Sequence, residues 1–120
     1  MDIQIIHAIT EPTRYKLLQL LFEHHYCVRA LSKKLGISEP AVSQLMRLLK
    51  KYKIVNGIKI GYQVHYQVDK QLLVSNLEEM LRQIAQYPAE AEITKECTCE
   101  YINECIRRDN KIWEEQGYGK

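Results

Sequence analysis

With 120 residues, of which 46% are apolar, the chain has the size of one small domain whose core stays thin unless a second subunit covers part of it. Its net charge is only +2, with 17 lysines and arginines against 15 acids, so charge alone does not mark it as a general polyanion binder. No glycine-rich phosphate loop, nucleophile elbow or paired-histidine metal motif occurs, which argues against an enzyme.

The near-neutral total hides an asymmetry. Residues 28 to 60 carry Arg29, Lys33, Lys34, Arg47, Lys50, Lys51, Lys53 and Lys59 against Glu39 alone, a local balance of +7, whereas residues 71 to 120 sum to −4. A basic centre beside an acidic C-terminal part is expected where one face meets phosphates and the rest stays solvated. The N-terminal MDIQIIHAIT lacks a basic leader, and no apolar stretch is long enough to span a bilayer, so the expected location is the cytoplasm. In that reducing compartment four cysteines are expected as free thiols, metal ligands or redox switches rather than as structural disulfides.

In chain order, Thr10-Glu11-Pro12 reads as a helix start, with Thr10 as the cap and Pro12 in the first turn. Leu17, Leu18, Leu20, Leu21 and Phe22 cover most of that helix's circumference, which predicts passage through the core. After an interruption at His24, His25 and Tyr26, a short helix is expected from about Val28 to Leu35, stopped by Gly36. Ser38 caps the next helix, and Pro40 sits in its first turn. Val42, Leu45, Met46 and Leu49 recur at i, i+3, i+4 and i+7 and so form a buried stripe. The opposite face holds Glu39, Ser43, Gln44, Arg47, Lys50 and Lys51.

Asn56, Gly57 and Gly61 punctuate two strand-like runs that predict a hairpin, with Lys59 and Tyr62 at its tip. A long amphipathic helix follows Asp69 and ends near Pro88. Its Leu73, Leu77, Met80, Leu81 and Ile84 have little core left to cover. With Ile3, Ile6 and Ile9 they are therefore assigned to a dimer interface. From Glu92 to Gln116 the chain reads as helical again. The expected fold is mainly α with a β-hairpin wing (α+β), a dimeric winged helix-turn-helix. Residues 1–90 would be the DNA-binding and dimerisation domain, and residues 91–120 a helical extension with a cysteine cluster.

A recognition helix must anchor one side in the core and present polar or basic side chains on the other. Residues 38 to 51 divide in that way. Gln44 can pair with adenine and Arg47 with guanine through two hydrogen bonds, while Ser43 discriminates less. Ser38 and Ser43 can equally hold phosphates. Lys33, Lys34, Lys50 and Lys51 are expected on the DNA backbone, where they add affinity without reading bases.

The segments TEPTRYKLLQLL, CVRALSKKLGIS, AVSQLMRLLKK and IVNGIKIGYQVHYQV together resemble the ArsR/SmtB family of winged-helix repressors over roughly residues 5 to 86. The resemblance implies a homodimer held by its first and last helices, bound to a twofold operator in double-stranded DNA and released by an effector. Two positions depart from the family pattern. Leu45 stands where a histidine is frequent, and Tyr62 stands where a wing arginine is common.

The family's metal-sensing motifs are incomplete. Its CVC motif is represented by Cys27-Val28-Arg29, with a cation in place of the second thiol. Its site on the last dimer helix keeps Asp69, but Gln71 and Arg82 stand where histidines are expected. What remains is Cys97, Cys99 and Cys105. Three thiolates suit soft ions, and some arsenic-responsive family members have a similar trio, which implies trivalent arsenic or antimony as effector. Cys27 as a fourth ligand would favour cadmium, lead or zinc. At about 100° per residue an ideal helix points Cys97 and Cys99 apart, so convergence needs a non-helical turn at Thr98. Two alternatives stay open: a disulfide switch among these thiols, and, in another class, a winged helix for protein contact with a structural zinc.

Overall fold

The computed structural model describes residues 1–89 and 96–107. The chain divides into two units, Met1–Tyr87 and Pro88–Lys120. The first contains α1 (Ile3–Thr10), α2 (Pro12–Glu23), β1 (Tyr26–Cys27), α3 (Val28–Leu35), α4 (Glu39–Lys51), β2 (Val55–Ile60), β3 (Gln63–Val68) and α5 (Lys70–Ala85).

Local chemistry sets most of the boundaries. Asp2 caps α1 by accepting the Gln4 amide. The cap of α2 is Glu11, not the expected Thr10: its carboxylate accepts the amides of Thr13 and Arg14. Those bonds, Arg14's first, hold the Glu11 carboxyl below its ordinary pKa. Thr10 closes α1 instead, donating its hydroxyl to the Ile6 carbonyl at 2.9 Å. Pro12 then suits the start of α2 because no intrahelical N–H is lost there. Between α3 and α4, Gly36 has φ +69°, a left-handed turn that costs a residue without Cβ little. Ser38 Oγ accepts the Ala41 amide at 3.2 Å and starts α4.

The sheet has three strands in the order β1-β3-β2, all antiparallel. The two-residue β1 was not expected. Tyr26 pairs with Tyr66 and Cys27 with His65, so the segment that breaks the helical pattern is an edge of the wing. Asn56 and Gly57 lie inside β2 rather than at a turn. A Cβ on Gly57 would stand 2.8 Å from Val64 Cγ1 and 3.2 Å from Tyr66 Cε1, so this glycine allows the cross-strand side chains to close over it.

The core lies between the helices and the base of the sheet. Leu17, Leu18, Leu31, Val42, Met46, Leu49 and Ile54 are fully buried, each contributing about 1.5–3 kcal/mol of transfer free energy. Asn76 of α5 is buried too, but satisfied. Its Oδ1 accepts the Asp2 amide at 2.8 Å, and its Nδ2 donates to the Leu72 carbonyl at 2.8 Å. The first of these bonds fastens the start of α1 to α5.

The residues assigned to a dimer face differ in their exposure within one subunit. Ile6, Ile9 and Leu73 are 5–7% exposed within one subunit, and Ile9 and Leu73 line an apolar groove with Phe22 and Leu77. Ile3, Leu77, Leu81 and Ile84 remain exposed. In the second unit, residues 96–101 are non-helical, with a turn at residues 100–101, and the helix α6 spans Ile102–Arg107. The expected helix over Glu92 to Gln116 is thus replaced by non-helical chain at residues 96–101. Residues 92–95 and 108–116 lie outside the described residues.

Candidate nucleic-acid interface

The α4 helix is the site's frame. Its back carries Val42, Met46 and Leu49, all at 0% exposure, and Leu45 is half-buried beside them. That anchoring turns Ser43, Gln44 and Arg47 to solvent. Spacings of one, three and four put the three on adjacent turns of one surface. Among the described residues their side chains make no hydrogen bond or ion pair, so a whole set of donors and acceptors is uncommitted. Pro40 and Glu39 start the helix, and the Ser38 hydroxyl oxygen serves the cap, leaving its proton free to donate elsewhere.

The flanking lysines are arranged by aromatic rings. Lys34 Nζ lies 5.0 Å from the Tyr26 ring centroid, Lys50 Nζ 4.7 Å from that of Tyr66, and Lys51 Nζ 5.5 Å from that of Tyr52. A cation over a ring gains roughly 0.5–1 kcal/mol at an exposed site and loses little of its reach. Lys50 over Tyr66 therefore ties the C-terminal end of α4 to the central strand of the wing. Lys33 and Lys59 are exposed, and Tyr62 is fully exposed at the hairpin tip, beside Gly61. The tyrosines Tyr26, Tyr52 and Tyr66 were missed as parts of this surface; the signal was a tyrosine-rich, lysine-rich stretch with no periodicity to assign partners.

A buried-backed helix with an uncommitted polar face, preceded by a short helix and followed by a wing, is the geometry on which a family comparison can decide. The family model described as "Bacterial regulatory protein, arsR family" matches residues 11–56, the span from the α2 cap to the first residues of the wing. Residues 11–56 carry the helix-turn-helix region of the ArsR family. It is 26% identical over 89 residues to the transcriptional repressor SmtB homolog of Synechocystis sp., a match covering 74% of this chain and 64% of that repressor's length. Its fold is similar to that of an ArsR-like transcriptional regulator from Rhodococcus sp. RHA1, with a TM-score of 0.64 at 20% identity over 69% of this chain and 78% of the other. It is also similar to the homodimeric winged helix-turn-helix DNA-binding domain of a possible ArsR-family regulator from Mycobacterium bovis. There the TM-score is 0.54 at 17% identity over 74% and 85% of the two chains.

Cys97, Cys99 and Cys105 are free and exposed, and Cys27 is free and half-buried. The chain at Thr98 is non-helical, so helical geometry does not force Cys97 and Cys99 apart. Each sulfur folds back on the chain: Cys97 Sγ accepts the Cys99 amide at 3.3 Å, and Cys99 Sγ accepts the Tyr101 amide at 3.4 Å. Among the described residues no three His, Cys, Asp or Glu side chains are gathered around one centre. A soft ion would have to reorganise this exposed segment to collect three thiolates. No helix among the described residues is long and apolar enough to cross a membrane.

One group near the wing carries a pH dependence. The His25 ring is held below its ordinary pKa of 6.5, first by lost hydration and then by repulsion from His24 and His65. The unfolded chain therefore takes up a proton at this position more readily than the folded one. Stability from His25 is present above pH 6.5 and is lost as the pH falls through that value toward the lower folded pKa. Thermal melts between pH 8 and pH 5 should show a descending acid limb that is shallower in His25→Gln; an unchanged limb would exclude the effect.

Proposed function

We propose that this chain is a homodimeric transcriptional repressor that binds double-stranded operator DNA, with one α4 helix from each subunit in successive major grooves. The observation that carries the reading is the free face of Ser43, Gln44 and Arg47 on a helix whose opposite side is fully buried. The similarity to a transcriptional repressor and to a homodimeric DNA-binding domain from M. bovis supports it. In this arrangement Gln44 and Arg47 read base edges, Ser38 and Ser43 position against phosphates, and Lys33, Lys34, Lys50, Lys51 and Lys59 supply salt-sensitive affinity. Tyr62 rides on the wing tip toward the adjacent groove.

The test is binding of labelled duplexes, selected from a random pool, across a salt series. A repressor should lose affinity log-linearly with salt. Arg47→Ala should cost about 1–3 kcal/mol on the selected site and relax its preference at one base pair. Lys51→Ala should weaken all sequences alike. A winged helix used for protein contact would show no duplex affinity, and that outcome would overturn the reading.

The finer reading concerns release. Cys97, Cys99 and Cys105 would take up a soft effector, trivalent arsenic or antimony ahead of cadmium, lead or zinc, with Cys27 as a possible fourth thiol in the divalent case. Three free, exposed sulfurs on non-helical or short helical chain support it. To release DNA, the effector must favour the incompetent arrangement, and DNA must weaken effector binding by the same factor, typically about 1–3 kcal/mol of coupling. Serine at all three positions should leave operator binding intact and abolish release by arsenite. Release by a mild oxidant but not by arsenite would favour the disulfide switch instead. Release retained in the serine variant would reject both.

A further inference from the structure

The wing contains a second group of side chains able to ligate, separate from the C-terminal thiols. His25 Nδ1 and His65 Nδ1 lie 2.9 Å apart, with ring centroids 4.9 Å apart and planes at 65°. The register produces this meeting. Cys27 stands opposite His65 across the β1–β3 pair, and residues 25 and 27 fall on the same side of extended backbone. His25 is thereby carried toward a strand 40 positions further along the chain. The ring of His24 packs 4.2 Å from that of His25, with its Nδ1 on the His25 carbonyl.

We propose that His25 and His65 form a two-imidazole clamp for a divalent transition ion at the base of the wing. Imidazole is the ligand suited to zinc, copper and nickel, and neither ring has a carboxylate partner among the described residues. The spacing is compatible with a chelate. Two nitrogens bound at about 2.0–2.1 Å subtend about 90° when 2.9 Å apart. That is the angle of square-planar or tetragonal nickel(II) and copper(II). A tetrahedral zinc site would need the pair to open to about 3.3 Å. The remaining positions are filled by water, since no third ligand is gathered there among the described residues.

Protons balance without an added acid or base. In the ion-free pair one Nδ1–H donates to the other Nδ1. On binding, that ring moves its proton to Nε2 through solvent, and both Nδ1 lone pairs reach the ion with no net release. The clamp joins the segment between α2 and α3 to the central strand of the wing. A bound ion therefore fixes the wing against the helix-turn-helix.

The test uses the full chain with Cys97, Cys99 and Cys105 replaced by serine, titrated calorimetrically with nickel chloride. One ion per subunit is expected. His25→Gln and His65→Gln should each weaken binding by more than about tenfold, at least what loss of an outer-shell group costs, and His7→Gln should leave it unchanged. Ring proton and nitrogen NMR signals of the unsubstituted chain give a readout independent of variant folding: nickel should shift or broaden those of His25 and His65 first. Absence of saturable binding, persistence of affinity in either glutamine variant, or first broadening at other groups would overturn the clamp.

Discussion

Alanine at Met46 is expected to lower the unfolding free energy by about 2–5 kcal/mol, the range for truncating a fully buried long apolar side chain. Met46 has 0% exposure and lies between Val42 and Leu49 on the back of α4. The cavity would open against the core of α2, α3 and Ile54, which contains Leu17, Leu18 and Leu31. The same loss frees the helix that presents Ser43, Gln44 and Arg47, so duplex affinity should fall with stability. Urea denaturation and duplex titration of the same preparation measure both. Met46→Leu, which nearly conserves volume, should cost less than about 1.5 kcal/mol. Arg47→Ala provides the opposite pattern, with binding lost and stability kept. A Met46→Ala loss below about 0.5 kcal/mol, the size of a surface effect, would mean that α4 is not anchored as described.

That contrast explains what could be read in advance. The α3 and α4 boundaries follow from Gly36, Ser38 and Pro40, and the buried stripe of α4 from one helical period. These are local signals, decided within a few residues. β1 is not local: two residues carry no period, and Tyr26 and Cys27 become a strand only because Tyr66 and His65 lie opposite. The His25–His65 contact and the lysine–tyrosine pairs depend on the same register, so no spacing along the chain discloses them. Thr10 and Glu11 show a finer failure. Either side chain can cap, and the choice fell to Glu11 because α1 runs through Thr10 and takes up its hydroxyl.

The stripe on α5 poses a different problem, because apolar periodicity states that a face is covered and not by what. Within the subunit α1 and α2 cover Leu73, whereas Leu77 is 39% exposed and Leu81 and Ile84 are 65% and 63% exposed. These last three lie at i, i+4 and i+7, one continuous ridge. A twofold axis along that ridge would bury it against its own copy, an isologous contact in which each leucine meets the partner's stripe. Glutamate at both Leu81 and Ile84 should then dissociate the dimer, since each buried, unpaired carboxylate costs several kcal/mol of desolvation. Subunit stability should scarcely change, because both positions are open in the isolated subunit. Sedimentation should report a monomer. Affinity for a two-half-site operator should drop by about 10²–10⁴, the advantage lost when two binding events are no longer linked. Binding to a single half-site should persist, which separates loss of pairing from loss of fold. A dimer that survives both glutamates would move the interface off α5 and leave its ridge for a different partner.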